Sequence, residues 1–399
     1  MAGAHAKKVM PHLFSGLIAF GLAASVLLAA GTVVIHLEHT TLPSTAPELF
    51  PLKNQGLAFQ RAAASAVDVL PLYGSSELIF PPIPEKASNF FRTAPTGFQV
   101  SPVGHGGTTL LIILQKVGAL GSDLRGKKLA ISLSPGWFLV PHPGWESYKG
   151  NFSAMAASEM AFGTALDFDL KRDIASRMLE CPSTLGKIPL LEFALRRLAS
   201  GRWLDRVVFC ALWPIGKAQT ALLELQDHFA ALDYIRHEIK PAPWCHSEIL
   251  DWPKLISKAG GPTTTDADKI KKGSNSDGQI APGRFDVGFR VHMNAAPGWM
   301  DLKLLLRTLA RVHARPLLLS MPMAGQFYDQ EGISRPAREG YYKKLRAFAQ
   351  RYNFALIEFK EHDEDSAFLY EHKSHLTAKG WMFYNRALDD FFHRRIPRT

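Results

Sequence analysis

An uncharged run near the amino terminus constrains this chain more than any other feature. The segment from Leu13 to Ile35 is 23 residues long, carries no charged side chain and consists almost entirely of apolar and small residues. At a rise of about 1.5 Å per residue, a helix of this length crosses a hydrocarbon core about 30 Å thick. No second run of this length occurs in the sequence. We therefore predict one transmembrane helix.

The charges beside this run predict its orientation. Lys7 and Lys8 precede the run, and the first charge after it is Glu38. Because positive flanks stay in the cytoplasm, we expect a cytoplasmic amino terminus and an extracytoplasmic body over residues 36–399, in the periplasm or at the cell surface. The alternative is a cleaved signal peptide, which the small residues at 29–31 would suit. Signal peptides have shorter apolar regions of about 7–15 residues, so we favour an uncleaved anchor in the cytoplasmic membrane.

Composition predicts a folded body behind the anchor. Of 399 residues, 47% are hydrophobic and 21% charged, which excludes a mostly disordered chain. We assign residues 1–36 to the cytoplasmic tip and anchor, residues 37–64 to a juxtamembrane linker, and residues 65–399 to one α/β domain. Within that domain we predict a helical insertion over 150–258 and a flexible Gly/Ser/Thr-rich loop over 259–284.

Charge and cysteine content restrict the partners and sites. The net charge of +10 permits nucleic acid, anionic lipid or an anionic polymer. The predicted location outside the cytoplasm disfavours nucleic acid, so an anionic polymer or surface polysaccharide is the expected partner. Cys181, Cys210 and Cys245 cannot all pair and match no zinc spacing, which argues against a disulfide scaffold or a structural zinc site. We expect no cofactor.

Short apolar segments predict a parallel sheet. The segments 66–73, 98–103 and 128–133 each end in small residues, and a helical pattern over 108–120 joins the second to the third. This is the order of a βαβ unit. Further strands are predicted over 316–320 and 355–359, and further helices over 301–312, 335–352 and 378–392. The fold is therefore predicted as a doubly wound α/β sheet, whose sites form at the carboxyl ends of the strands.

The segment between the third and fourth strands has a helical pattern. Apolar positions at helical spacing predict helices over 154–163, 169–179, 189–198 and 218–239. The apolar run Val207–Ile215 lies before the last of these and is too short to span a membrane. We predict that this run belongs to the core.

The turn after the first predicted strand carries a candidate nucleophile. It reads Gly74-Ser75-Ser76-Glu77. A serine at a strand-to-helix turn can project its hydroxyl above the sheet, where the N–H groups of the same turn can stabilise an oxyanion. The alternative is that the serine is a helix N-cap.

The segment before the last predicted helix carries a candidate base. His372 and His375 lie there, and a histidine at this sheet edge could accept the proton of a serine. A solvated loop histidine is the alternative, since the chain has 15 histidines. The pair has no third ligand of matching spacing nearby, so we expect no metal.

Two further segments could complete a site at the same edge. Gly106 and Gly107, in the turn after the second predicted strand, could donate N–H groups to an oxyanion, or could merely permit the turn. Ser134 and Trp137, after the third strand, could form a pocket wall, although a buried aromatic at a strand end is the alternative for Trp137. The segment Asn151–Ser153 fits the pattern of a glycosylation acceptor.

Taken together and in order, these segments resemble the DltD family, membrane-anchored proteins of teichoic acid D-alanylation. The resemblance includes the anchor, YGSSEL at 73–78, the glycine-rich turn at 104–107, SPGWF at 134–138, NFS at 151–153, MAGQFYDQEGISRPAREGYYKKL at 323–345 and HLTAKGW at 375–381. These blocks extend over nearly the whole chain, whereas residues 180–300 match poorly. Their order is more specific than any single block.

The resemblance implies a fold and a reaction. The fold is a three-layer α/β/α sandwich similar to SGNH hydrolases, and the chemistry is that of a serine, histidine and aspartate set acting on an acyl ester or thioester. The third residue of the SGNH first block is the nucleophile and falls on Ser76, with Ser75 as the lesser candidate. The histidine of the last block falls on His375. A membrane-bound O-acyltransferase partner is also implied.

One position departs from the family pattern. The aspartate expected three residues before His375 is replaced by His372, and a histidine cannot stabilise an imidazolium as a carboxylate does. Glu371, Asp363 and Asp365 are the candidate orienting acids. A serine–histidine dyad is the alternative.

The sequence thus predicts a membrane-anchored, extracytoplasmic acyl-transfer protein. With a membrane-bound O-acyltransferase, it would esterify a cell-envelope polymer or exopolysaccharide through an acyl-enzyme on Ser76. One alternative is an esterase or deacylase of the same fold. The other is a non-catalytic scaffold of an acyltransferase or polysaccharide-synthesis complex, which the missing aspartate favours.

Overall fold

A parallel five-stranded sheet lies at the centre of the computed structural model. The strands are β1 (Val69–Tyr73), β2 (Gln99–Val103), β3 (Lys128–Leu133), β4 (Arg315–Ser320) and β5 (Ala355–Glu358). Their order is β2-β1-β3-β4-β5, and every neighbouring pair is parallel. The predicted parallel α/β sheet is confirmed. The residues that the structure describes are 6–140, 144–238, 247–259, 280–370 and 375–395.

Helices make up most of the remaining described chain. In chain order they are α1 (Ala6–Thr45), α2 (Pro51–Gln55), α3 (Ala58–Ser65), α4 (Ala87–Thr93), α5 (Leu110–Leu120), α6 (Trp145–Asn151), α7 (Ala154–Phe162), α8 (Phe168–Leu179), α9 (Pro182–Leu185), α10 (Pro189–Ser200), α11 (Trp203–Glu238), α12 (Trp252–Lys258), α13 (Asp286–Ala295), α14 (Gly298–Arg311), α15 (Gly325–Gln330), α16 (Arg335–Tyr352) and α17 (Ala378–Phe392). A small antiparallel hairpin of β6 (Leu369–Tyr370) and β7 (His375–Leu376) precedes α17.

Each face of the sheet has its own apolar core, because successive side chains of a strand point to opposite faces. Leu70 and Leu72 of β1 pack on the face covered by α4 and α17. Tyr73 of the same strand packs on the face covered by α5, α14 and α16. Helices therefore cover both faces, and the carboxyl ends of the strands are left for a site.

The long connection from β3 to β4 is helical, as the sequence predicts. Helices α7, α8 and α10 lie within two residues of the predicted bounds. They pack against one another. Helix α7 contacts α5 directly, and α8 contacts α14, which in turn packs against α5. This helical segment is therefore part of the same core as the sheet.

The predicted linker over 37–64 is helical and packed instead. Helix α1 continues to Thr45, and α2 and α3 follow. Leu42 and Ala46 pack against Ala62, Ala63 and Val69 in a small apolar cluster. The threonines, prolines and serines of this segment suggested a linker, but its alanines permit close helix packing.

The run Val207–Ile215, predicted as core, is largely exposed. Helix α11 begins fifteen residues before the predicted start at 218 and continues through Pro214. Val207 is 56% exposed and Ile215 58%, whereas Asp205 on the opposite side is buried. The prediction holds for Phe209, which is buried and stacks on Phe162, and is wrong for the side of α11 that faces away from the body.

Helix α1 carries the predicted anchor. By length and composition it is the one helix in the described part of the chain that could cross a membrane, over His12–Thr45. Most of its apolar side chains lie exposed, as expected for a segment that faces lipid rather than a protein core. This indicates single-pass membrane anchoring.

Candidate active site

The turn after β1 is tightly packed and presents two serines. A short 3₁₀ helix, Ser76–Leu78, follows Gly74 and Ser75. A Cβ at Gly74 would lie 2.3 Å from Glu77 Oε1, and a Cβ at Gly104 would lie 2.2 Å from the carbonyl oxygen of Gly74. The turns after β1 and β2 thus approach each other so closely that only glycine fits at these two positions without displacing its neighbours.

The β6–β7 hairpin brings His375 to this turn. His375 Nε2 lies 2.9 Å from Ser76 Oγ, although the two residues are 299 positions apart in the chain. The ring of Phe80 packs edge-on against His375 and against Tyr370, with centroids 5.2 and 5.3 Å away. This distance allows direct proton transfer between the hydroxyl and the imidazole.

Ser75 occupies a different environment. Its backbone N–H donates to Glu77 Oε1 at 3.0 Å, and its hydroxyl makes a long 3.4 Å contact to the carbonyl oxygen of His105. Ser75 is 7% exposed. Of the two serines, the one whose hydroxyl meets His375 is Ser76.

The carboxyl group of Glu77, the residue that follows the candidate nucleophile Ser76, is buried. Burial raises the pKa of Glu77 from 4.5 to about 7, against the opposing effect of the hydrogen bond from Ser75 N–H. We assigned Glu77 no role from the sequence. The sequence contains one indication of such a role, because Glu77 is the only charged residue between Asp68 and Glu85.

The glycine-rich turn after β2 is fixed by a buried asparagine. Gly107 has a φ of +77°, in the region that favours glycine. Asn151 Nδ2 donates to the carbonyl oxygens of Gly106 at 3.1 Å and Ser147 at 2.9 Å, and its Oδ1 accepts from Thr108 Oγ1. Asn151 is 7% exposed and its amide is bound within the fold, which does not suit a glycosylation acceptor. That Gly106 and Gly107 donate to an oxyanion stays a prediction.

The two residues predicted to form a pocket wall differ in their surroundings. Ser134 Oγ accepts a hydrogen bond from the backbone N–H of Gly136 at 3.3 Å and so caps a short 3₁₀ helix. Trp137 and Gly107 both line a cavity of about 210 Å³, together with Arg177 and Asp301. Arg177 Nε donates to Asp301 Oδ1 at 2.7 Å, while burial raises the pKa of Asp301. The turn that reaches Ser75 at one end therefore lines, at the other end, a largely apolar cavity with an ion pair in its wall.

Asp363, a candidate orienting acid, is bound to other groups. It accepts the backbone N–H of Met323 at 2.9 Å and the hydroxyl of Tyr342. Burial raises the pKa of Asp363 to about 7. These bonds tie Asp363 to the end of β4 and to α16.

Of the remaining candidate acids, Asp365 forms an ion pair and Glu371 is not among the described residues. Asp365 Oδ2 lies 2.7 Å from Lys379 Nζ, and this pairing lowers the pKa of Asp365. Glu371, together with His372, lies outside the described residues. The identity of the acid that orients His375 thus stays a prediction.

Comparisons with known proteins identify the family. The family model described as DltD protein matches residues 46–393, which include both Ser76 and His375. The chain belongs to the DltD family.

Two DltD proteins are similar to this chain over nearly their whole length. Protein DltD of Bacillus subtilis (strain 168) is 27% identical over 399 aligned residues, which cover 92% of this chain and 95% of that protein. Protein DltD of Staphylococcus aureus (strain NCTC 8325 / PS 47) is 24% identical over 386 residues, covering 96% and 95%. The DltD match begins at residue 46, so it includes most of the segment predicted as a linker.

Proposed function

We propose that this DltD-family protein is an SGNH-type serine acyltransferase that esterifies a cell-envelope polymer. The observation that carries this proposal is the 2.9 Å contact between Ser76 Oγ and His375 Nε2. Its position supports the proposal as well, since Ser76 follows β1 beside the point at which the strand order reverses, where ligands bind in sheets of this order.

In the first step Ser76 attacks the carbonyl carbon of an acyl ester or thioester. His375 accepts the hydroxyl proton as the Oγ–carbon bond forms, and then donates it to the departing oxygen or sulfur as the bond to the leaving group breaks. The products are an acyl ester on Ser76 and the free alcohol or thiol.

In the second step a hydroxyl of the polymer attacks the acyl ester. His375 removes the proton of that hydroxyl, and the proton returns to Ser76 Oγ as the ester to the serine breaks. The polymer leaves as an ester, and the enzyme is restored. If water attacks instead, the same machinery is an esterase.

The oxyanion of both steps needs hydrogen-bond donors. We assign this role to the backbone N–H groups of Ser76 and of the Gly106–Gly107 turn, because Asn151 and the close approach of Gly104 to Gly74 hold that turn beside the serine. Losing one such donor costs about 10²–10³ in kcat in well-studied enzymes.

The family supplies the proposed substrates and the setting. We take the acyl group as D-alanyl and the acceptor as a teichoic acid, with an exopolysaccharide as the alternative acceptor. The body would lie outside the cytoplasmic membrane and receive the acyl group through a membrane-bound O-acyltransferase. The net charge of +10 suits an anionic polymer.

A non-catalytic scaffold is the second candidate function, because His372 stands where the family pattern has an aspartate. Without an orienting carboxylate, rates of well-studied triads fall by about 10⁴. The scaffold and the enzyme differ in whether Ser76 is chemically activated.

Labelling with a fluorophosphonate tests this difference without requiring the natural substrate. We expect the full-length protein in detergent to be modified on the peptide that carries Ser76, because His375 activates that hydroxyl. Ser75→Ala should label normally, whereas His375→Asn should label at least about 10²-fold more slowly. Labelling no faster than that of Ser76→Ala would leave the scaffold as the function.

A further inference from the structure

Helix α11 presents an apolar face to the outside of the domain. The exposed side chains of this apolar face are Trp203, Leu204, Val207, Val208, Ile215, Leu222 and Phe229. Their spacing places them along one side of a helix with 3.6 residues per turn, with the exposed Ala211, Ala218 and Gln226 between them. From Trp203 to Phe229 this face is about 39 Å long.

The opposite side of α11 is bound to the body through a buried aromatic ring and several polar contacts. Phe209 is 1% exposed, and its ring stacks on that of Phe162 with the centroids 5.7 Å apart. Asp227 Oδ2 accepts the backbone N–H groups of Leu57 and Ala58, each at 2.7 Å. Asp205 Oδ1 accepts from Arg197 Nη1 at 2.7 Å. These contacts fix the rotation of the helix about its axis, so it cannot turn its apolar face inward. Monomeric soluble domains rarely leave an apolar stripe of this length uncovered.

One end of the apolar face lies beside the anchor. Helix α11 contacts the carboxyl-terminal part of α1, where His228 Nδ1 is 3.0 Å from Glu38 Oε1. Glu38 is three residues past Ile35, the end of the uncharged run, or about 5 Å along the helix axis. Phe229, the next residue after His228, is exposed on the apolar face. The face therefore begins at the depth where α1 leaves the bilayer.

We propose that α11 lies in the interface of the outer leaflet, with its apolar face against the lipid acyl chains. The composition suits this location, because Trp203 marks one end of the face and tryptophans favour the membrane interface. The side chain of Arg202, next to Trp203, is 80% exposed and can meet lipid phosphates. Helix α11 does not itself qualify as a membrane-spanning helix among the described residues, as expected for one that lies in the interface plane.

This placement gives the domain two membrane contacts instead of one. An anchor alone leaves the body free to tilt together with α1, whereas a second contact along α11 fixes its orientation above the bilayer. The placement does not depend on catalysis. A Ser76→Ala variant should lie on the membrane in the same way, so failure of the proposed enzyme would not overturn it.

Spin-label accessibility tests the proposal on the full-length protein in liposomes of phosphatidylethanolamine and phosphatidylglycerol. Labels are attached at Val207→Cys and Leu222→Cys, with Cys210 and Cys245 replaced by serine and the buried Cys181 retained. Gln350→Cys, an exposed position of α16, is the matched control. We expect collisions with oxygen to exceed collisions with a water-soluble nickel chelate several-fold at 207 and 222, and the reverse at 350.

Two results would overturn the proposal. If labels at 207 and 222 are as accessible to the nickel chelate as the label at 350, the apolar face lies in water. If they are protected from both oxygen and nickel, a protein surface such as a second copy covers it instead of lipid. Circular dichroism of each labelled variant verifies that the helices remain intact.

Discussion

Replacing Ser76 by alanine is expected to lower acyl transfer by about 10⁴-fold or more, as removal of the nucleophile does in well-studied serine enzymes. Ser76 provides the oxygen that forms the acyl ester, and its hydroxyl is the one that meets His375. The measurement is the amount of D-alanine that mild alkali releases from the envelope of a Bacillus subtilis strain lacking its own protein DltD and supplied with this chain.

Two further variants sharpen this experiment. His375→Asn should produce a loss of similar size, and combining it with Ser76→Ala should add little, because residues that act as a unit are not additive. Ser75→Ala should retain much of the activity, since the Ser75 hydroxyl makes a single long contact to a backbone carbonyl oxygen. Full D-alanine incorporation by Ser76→Ala, at equal protein level, would contradict the catalytic account and favour the scaffold.

The second large effect is expected at Glu77. Glu77→Ala removes the acceptor of the Ser75 N–H group and leaves a cavity beneath the turn, which together should cost about 3 kcal/mol of unfolding free energy. Glu77→Gln keeps an oxygen at the same position and should retain both stability and fluorophosphonate labelling. Urea unfolding in detergent micelles measures the first quantity.

The raised pKa of Glu77 also predicts a pH dependence of stability. Folding binds a proton between the ordinary value of 4.5 and the folded value of about 7. The unfolding free energy should therefore be greatest below pH 4.5 as far as this group is concerned. It should fall through the window up to pH 7 by up to about 3 kcal/mol. Asp363, whose pKa is also raised to about 7, acts in the same direction.

Comparing variants isolates the contribution of Glu77. The difference in unfolding free energy between pH 5 and pH 8 should be smaller in Glu77→Gln than in the unchanged protein, because glutamine does not titrate while Asp363 remains. An identical pH dependence in the two proteins would mean that Glu77 is ionised in the fold, contrary to this account.

The sheet was predictable because its strands are buried on both faces. Such strands appear as short apolar runs, and β1, β2 and β3 each end in small residues that form the turns of the site. Parallel strands align their carboxyl ends, so the residues after β1 and β2 could be placed at one edge of the sheet from sequence order alone. The encounter of Ser76 with His375 follows from that alignment and from the family resemblance.

Other features depend on contacts that no local pattern reveals. The apolar residues of α11 are exposed because Phe209, Asp227 and Asp205 on its other side contact the body, and the sequence does not say which partners these residues will find. Asn151 had a familiar surface motif, yet its amide is used to fix the Gly106 turn. The role of Glu77 depends on the burial of its carboxyl group, and burial is decided by the elements that pack over the turn rather than by the local sequence.

The central claim is that Ser76 carries the acyl group, and trapping that intermediate tests it most directly. The full-length protein is mixed with a small D-alanyl thioester in the absence of any polymer, quenched in acid after short times, digested and analysed by mass spectrometry. We expect a D-alanyl ester on the peptide that contains Ser76, and none in Ser76→Ala. A D-alanyl group on another residue, or thioester cleavage with no acyl-protein at any time, would contradict the account.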